Sequence, residues 1–441
     1  MTFISNVRPS VATPWRSASE PDHRGVMKDV IFASKSADPA LGDRDGQSWS
    51  GDPPSVVEMV EDMIARAARV RATDIHIDAL ETQSVVRFRV DGLLRDEQVL
   101  PKGLHGQVVS RIKVLARMDI AQRRIAQDGR IQVTLPDKQI DLRVSTLPTL
   151  FGEKCALRLL DKKQTPLQLD ELGFQQGALE TFQGLMRNTD GMILVTGPTG
   201  AGKTTTLYAT VNAIKSPEKN IITIEDPVEY ILSGINQVPV NAKAGIDFTG
   251  GLRAILRQDP DVILIGEIRD TETANIAVKA ATTGHLVFST LHTGDAAGAV
   301  GRLIDMGVEP FLVASAVSGI VAQRLVRRIC RSCKASYHPP RSSPERIFLA
   351  SGSRHADILY RGAGCSRCNQ TGFDGRLAIH EVMILRSSLR ELIMAKASAD
   401  TIRAKAIEEG MAGIVADGMD KAIQGETTVQ EIMRVAFRMD G

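Results

Sequence analysis

Residues 192–209, MILVTGPTGAGKTTTLYA, join an apolar run with strand character to a glycine-rich turn, and the helix-forming stretch TTLYATVNAI follows. The turn fits G-x-x-x-x-G-K-[ST] at Gly197, Gly202, Lys203 and Thr204, in the strand–turn–helix setting that gives this pattern its meaning. Gly197, Gly200 and Gly202 allow a tight backbone turn, and Pro198, Thr199, Ala201 and Thr205 complete the loop. Its N–H groups and the following helix N-terminus are expected to cradle phosphate oxygens. Lys203 is placed to reach the β- and γ-phosphates, and the Thr204 hydroxyl to bind Mg²⁺. A glycine-rich turn that binds nothing is the competing reading, and the complete pattern in context argues against it. A nucleoside triphosphate is the expected ligand.

Outward from this loop, MILVT, NIITI, DVILIG and HLVFSTL are apolar strand candidates separated by helical stretches such as GALETFQGLMRN and TETANIAVKAATT. That alternation predicts an α/β fold with a mainly parallel sheet covered on both faces. The P-loop then lies at the carboxyl end of a central strand, where open α/β sheets bind ligands.

The 441 residues suggest two or three domains. Residues 1–55, rich in Ser, Asp, Pro, Gly and Arg, read as a flexible arm. Residues 56–162 pass from a helical pattern, VVEMVEDMIARAARV, to alternating strands such as SVVRFRVDGLLRD and KQIDLRVSTLP, which gives a smaller α+β domain. Residues 163–172, with Pro166 and a helix start at Asp170, form a hinge linker. A P-loop core over 173–327, a cysteine-bearing insert over 328–376 and a helical C-terminal region over 377–441 complete the division.

A net charge of +2 announces no broad basic face for nucleic acid. Neither a long apolar run nor a secretory leader is present, so a cytoplasmic chain that meets the membrane through partners is expected.

Three further stretches bear on chemistry. IITIEDPVEY (221–230) empties a β-branched run into Glu225, Asp226, Glu229 and Tyr230, and these acids are expected to leave the strand end towards the cleft; a solvated acidic turn is the alternative. DVILIGEIRD (261–270) has Gly266-Glu267 where many P-loop enzymes place Asp-Glu. Glu267 is therefore the group to orient or deprotonate an attacking water, against a purely structural ion pair to Arg269 or Arg257. TGHLVFSTLHTGDA (283–296) sets His285 and His292 around a strand, a spacing that makes no metal pair by itself.

CRSC (330–333) and CSRC (365–368) form two C-x2-C pairs about thirty residues apart. Cys330, Cys333, Cys365 and Cys368 suit a closed structural Zn²⁺ site in a reducing compartment, with a disulfide pair as the alternative. The loop between them exceeds the common ribbon spacing of ~15–20 residues and is expected to hold a small fold of its own. Cys155 is left as a buried free thiol.

These stretches, with TDIHID, VRFRVDGLLRD, IAQRRIAQDGRI, DLRVSTLPTLFGEKCALRLLD and LRQDPDVILIGEIRDTETANIAVKAATTGHLVFSTLHTGDAAGAVGRL, resemble the secretion traffic ATPases, the family behind type II secretion and type IV pilus assembly. The resemblance runs from Ala72 to Val435. It implies a RecA-like core behind a PAS-like α+β domain, assembly into a cytoplasmic homo-hexamer, and contact with inner-membrane platform and docking proteins. It further implies that Glu229 is the functional acid of the Asp box, Glu267 that of an atypical Walker B, and His285 and His292 those of the His box. Arg130 and Arg143 match front-domain arginines that close on the phosphates as arginine fingers. The tetracysteine insert matches the secretion and pilus-extension branches. A conjugation-type or nucleic-acid-translocating motor is the nearest alternative, and a zinc-stabilised nucleotide-binding scaffold the non-enzyme one. Near-neutral charge with four Tyr and two Trp speaks against stacking on nucleic acid.

Overall fold

The computed structural model describes residues 30–31, 55–136, 139–161 and 168–436. The arm expected over 1–55, apart from residues 30–31 and 55, and the hinge as far as residue 167 lie outside the described residues.

The front domain opens with the helix Val56–Arg69, started by a capping box in which Ser55 and Glu58 satisfy each other's backbone amides. A seven-stranded sheet follows, in the order Val30–Ile31, Gln127–Thr134, Gln139–Thr149, Gly152–Asp161, Asp74–Ala79, Gln83–Val90 and Leu93–Pro101. Every pairing is antiparallel except that of the first strand. Asp74–Ala79 buries every second residue, as a strand with one face on the core must. That core joins Ile75, Ile77, Phe88 and Leu142 to Val60, Ile64, Val108 and Ile112 of the helices Val56–Arg69 and Lys102–Leu115.

The second sheet also has seven strands, ordered Asn236–Pro239, Ile221–Glu225, Val262–Ile265, Leu286–Leu291, Gly191–Thr196, Val317–Ile329 and Phe373–Ile384. All neighbours are parallel except the last pair. Gly191–Thr196, Leu286–Leu291 and Val262–Ile265 are buried throughout, because helices cover both faces. One face packs against the helices Gln176–Met186 and Lys203–Ile214 through Phe182, Leu185, Leu207 and Val211. The other packs against Thr271–Thr282, Ala296–Asp305 and Pro310–Ala316.

Phe373–Ile384 runs across the boundary expected at 376/377 and belongs to this sheet as its edge. Its outward backbone groups are covered by the helix Ile414–Ile423: the His380 amide donates to Asp417 at 2.8 Å, and the Lys421 ammonium donates to the Ala378 carbonyl at 2.8 Å. Asp417 and Lys421 pair at 2.6 Å, both almost fully buried. Between the two cysteine pairs the chain forms the helix Pro344–Ser351 and a small antiparallel pair, Lys334–Tyr337 with Leu359–Gly362. No helix among the described residues is long and apolar enough to cross a membrane.

Candidate functional site

The P-loop leaves the buried strand Gly191–Thr196 and enters the helix Lys203–Ile214. Gly197, Gly200 and Gly202 have φ of 151°, 78° and 87°, values that favour residues without a Cβ. At Gly197 a Cβ would also lie 2.5 Å from the Gln323 carbonyl oxygen. Gln323, buried in the adjacent strand, donates to the Ala201 carbonyl at 2.7 Å and accepts from the Thr206 hydroxyl at 2.7 Å, bracing the loop where it runs into the helix. Pro198, Thr199, Gly200 and Thr204 are exposed around the loop, and Thr205 is half-buried.

Lys203 folds back over the loop and donates to the carbonyls of Gly197 at 2.9 Å and Pro198 at 3.1 Å. Burial brings its pKa down to about 8, against the opposing pull of Glu267 and with a contribution from Arg324.

Glu267 follows the strand Val262–Ile265 at the same carboxyl end of the sheet. One carboxylate oxygen meets Arg269 at 2.5 Å and the other His292 at 3.5 Å. Burial opposes charge on Glu267, but Arg269 and His292 outweigh it and hold the carboxyl below its ordinary range. The carboxylate therefore stays ionised while facing the cleft. The pairing to Arg269 anticipated from sequence is present, and it coexists with the contact to His292 at the end of the neighbouring strand.

The histidines part company. Strand register sets Leu286 opposite Gly191 and Leu291 opposite Thr196. His285 precedes this run and lies at the amino end of the sheet, its ring bonded to the Ala280 carbonyl at 3.0 Å. Six residues of strand put it roughly 20 Å from the level of the P-loop. Parallel strands carry their two ends to opposite sides of the sheet, so only His292 joins the cleft.

The acids after Ile221–Glu225 divide as well. Glu225 does not turn to the cleft: it is buried, accepting from Thr223 at 2.6 Å, from Gln237 at 3.2 Å and from the Tyr208 hydroxyl. Asp226 is exposed. Glu229 lies at the rim, its amide donating to the Tyr208 hydroxyl at 3.3 Å, and its carboxylate meets Arg143 of the front domain at 3.2 Å. Arg130 is the cross-strand partner of Arg143 and is exposed. The front domain thus presents this arginine pair where it touches the core.

Sequence reasoning missed Gln323 and Arg324. Two polar residues inside the strand VSGIVAQRLVRRI were the available signal, but no spacing rule attaches them to a P-loop more than a hundred residues earlier.

The second centre is the cysteine cluster. The sulfur atoms of Cys330, Cys333, Cys365 and Cys368 all lie within 4.8 Å of one another. Cys330–Cys365, Cys333–Cys368 and Cys365–Cys368 are separated by 3.9, 3.8 and 3.7 Å. Four ligands held tetrahedrally at ~2.3 Å from a metal would be about 3.8 Å apart, so the thiols fit Zn²⁺. The Cys365 and Gly372 amides donate to the Cys368 sulfur at 3.2 and 3.3 Å. Close by, Asp374 binds Arg367 at 2.8 Å and also Arg71 of the front domain, and Asp91 accepts from the Gly375 amide at 3.2 Å. Cys155 is buried in the front domain and free, its thiol pushed up to about 12 by burial.

Residues 50–434 match the model of the family described as "Type II/IV secretion system protein". The chain is 49% identical over 380 residues to the type II secretion system protein HxcR of Pseudomonas aeruginosa, covering 86% of this chain and 77% of that one. It is 46% identical over 386 residues to the type II secretion system ATPase E of Vibrio cholerae, covering 88% and 76%. The type IV pilus assembly ATPase PilB of Thermus thermophilus is 45% identical over 382 residues, 87% of this chain and 43% of that longer one. Among solved structures, the pilus retraction motor PilT with bound ADP superposes with a TM-score of 0.57 at 25% identity, over 87% of this chain and 97% of that one.

Proposed function

The chain belongs to the type II/IV secretion system protein family, and from that premise we propose that it is the ATPase motor of a type II secretion or type IV pilus assembly machine. The observation that carries this reading is the convergence of Lys203, Glu267 and His292 at one end of the motor sheet, beside a loop shaped by Gly197, Gly200 and Gly202.

The loop amides and Lys203 take the β- and γ-phosphates, so Lys203 exchanges its two carbonyl acceptors for phosphate oxygens. Thr204, exposed in the first helical turn, is the protein ligand for Mg²⁺, which supplies charge neutralisation on the phosphates when bound. Glu267, kept ionised, accepts a hydrogen bond from the attacking water and orients it. His292 holds the second Glu267 oxygen and ties that orientation to the neighbouring strand. Arg143 and Arg130 act as arginine fingers: ATP draws Arg143 from Glu229 to the phosphates, so nucleotide state becomes front-domain position. His285, at the far end of the sheet, has no part in this site within one chain.

The four cysteines hold a structural Zn²⁺ that fixes the segment docked on the front domain. The antiparallel sheet with its helices supports a PAS-like reading of that domain. Assembly into a hexamer, and a cytoplasmic chain held at the inner membrane by platform and docking proteins, complete the reading.

Steady-state hydrolysis of ATP by the full chain, with and without single-stranded DNA, tests it. Turnover that is lost in Lys203→Ala and indifferent to DNA is expected. Turnover that requires DNA would favour the translocase reading, and absence of turnover in every assembly state would favour a scaffold.

A further inference from the structure

Arg324 is a half-buried guanidinium in the strand Val317–Ile329, adjoining the first glycine of the P-loop. One of its nitrogens lies 3.3 Å from where a Cβ on Gly197 would stand. It donates to two backbone carbonyls, Gln323 at 2.9 Å and Gly294 at 2.5 Å. The second of these belongs to the loop after the His292 strand, so Arg324 spans the gap between that loop and the P-loop.

Among the described residues it has no ion-pair partner, although two carboxylates are near. Asp295 is already taken by Arg403 and by the Gly298 amide at 2.6 Å. Glu381 is taken by the amides of Ala296 at 2.9 Å and Ile414 at 3.3 Å. A guanidinium presents five donors, and leaving a desolvated one without a counter-charge is costly. Burial accordingly disfavours its charged form, with only partial relief from Asp295 and Glu381. A dianionic phosphate at the loop would supply the missing charge.

Resting on the reading of the P-loop as an ATP site, we propose that Arg324 is a γ-phosphate-contacting residue of the chain's own motor domain, which distinguishes ATP from ADP and reports the difference to the His292–Gly294 loop through its bond to Gly294. This differs from the role of Arg130 and Arg143, which depends on the front domain being docked. Arg324 is fixed beside the loop whatever the position of that domain.

The test compares Mg²⁺-ATP and Mg²⁺-ADP affinity in the full chain carrying Glu267→Gln, which holds ATP unhydrolysed, with and without Arg324→Gln. Loss of a charge-assisted contact made only to the γ-phosphate should weaken ATP by roughly tenfold or more and ADP by less than about twofold. Arg324→Lys, which keeps a point charge without the fork, should restore part of the ATP preference. If both nucleotides weaken alike, or neither does, Arg324 is a brace for the loop and the inference fails. If the Gln chain does not fold, Arg324→Lys alone decides: an ATP-to-ADP affinity ratio unchanged from the parent overturns the proposal. A parent chain that binds neither nucleotide would instead overturn the ATPase reading beneath it.

Discussion

The P-loop and the cysteine cluster are two sites built on opposite physical plans. The P-loop is made of backbone, shaped by left-handed glycines, and its lysine is turned back onto the loop's own carbonyls. The cluster is made of side chains whose sulfurs already stand at the edge lengths of a tetrahedron. A site that must bind, discriminate and release has to have somewhere for its charges to go between ligands, whereas a site that only holds structure is best left with no alternative. The contrast predicts that changes at the first site alter turnover without unfolding, and changes at the second alter order without touching nucleotide chemistry.

The largest effect should come from Lys203→Ala, which is expected to abolish nucleotide binding while metal analysis still finds one Zn²⁺ per chain. Glu267→Gln is expected to keep binding and lose turnover, because orientation of water and capture of phosphate fall on different side chains. Zinc lost along with nucleotide binding would break the separation of the two sites, and parental hydrolysis in the Gln variant would move the catalytic role to Glu229.

Next in size, Arg143→Ala or Arg130→Ala should lower turnover on the order of 10³-fold with ATP affinity within a few-fold. A surface ion pair between Arg143 and Glu229 alone is worth about 0–1 kcal/mol and would leave turnover nearly untouched, so the two accounts are separated by rate measurements.

A smaller effect concerns protons. With a pKa of about 8, Lys203 loses its charge as pH rises through that value, well before an exposed lysine would. Bound phosphate favours the charged form, so nucleotide binding near pH 9 should take up as much as one proton, and affinity should weaken by up to about tenfold per pH unit above 8. Calorimetry in buffers of different ionisation heat measures the uptake, and a flat profile from pH 7 to 9.5 would contradict the buried lysine.

The smallest effect is the sharpest test of independence. Chelation should release Zn²⁺ and disorder residues around 330–375, while ADP affinity at the P-loop changes by less than about twofold. Loss of ADP binding on chelation would show that the two sites are one mechanical unit.

The loop and the cysteines were legible in the sequence because each is specified by residues a few positions apart. The alternating sheet was legible for the same reason, through runs such as MILVT and DVILIG. What was not legible depends on which strand lies beside which. Gln323 and Arg324 become parts of the P-loop only because Val317–Ile329 pairs with Gly191–Thr196. His285 leaves the site because a parallel strand carries its start away from its end. Glu225 turns inward because Tyr208, on the P-loop helix, waits for it in the core. The strand Phe373–Ile384 was hidden across the end of the cysteine insert and the start of a region read as helical, because its membership in the sheet is set by a partner on the far side of that insert.

That same strand raises a question of timing during synthesis. Its outer edge offers amides and carbonyls to any passing strand until Asp417 and Lys421 arrive to occupy them. Asp417 comes 37 positions after His380, and at ~5–20 residues per second a ribosome needs roughly 2–7 s to deliver it. During that interval the nascent motor sheet is sticky along one side. Chains on neighbouring ribosomes of the same message would meet through bare edges, and the helix Ile414–Ile423 is the element that closes that route once it is made.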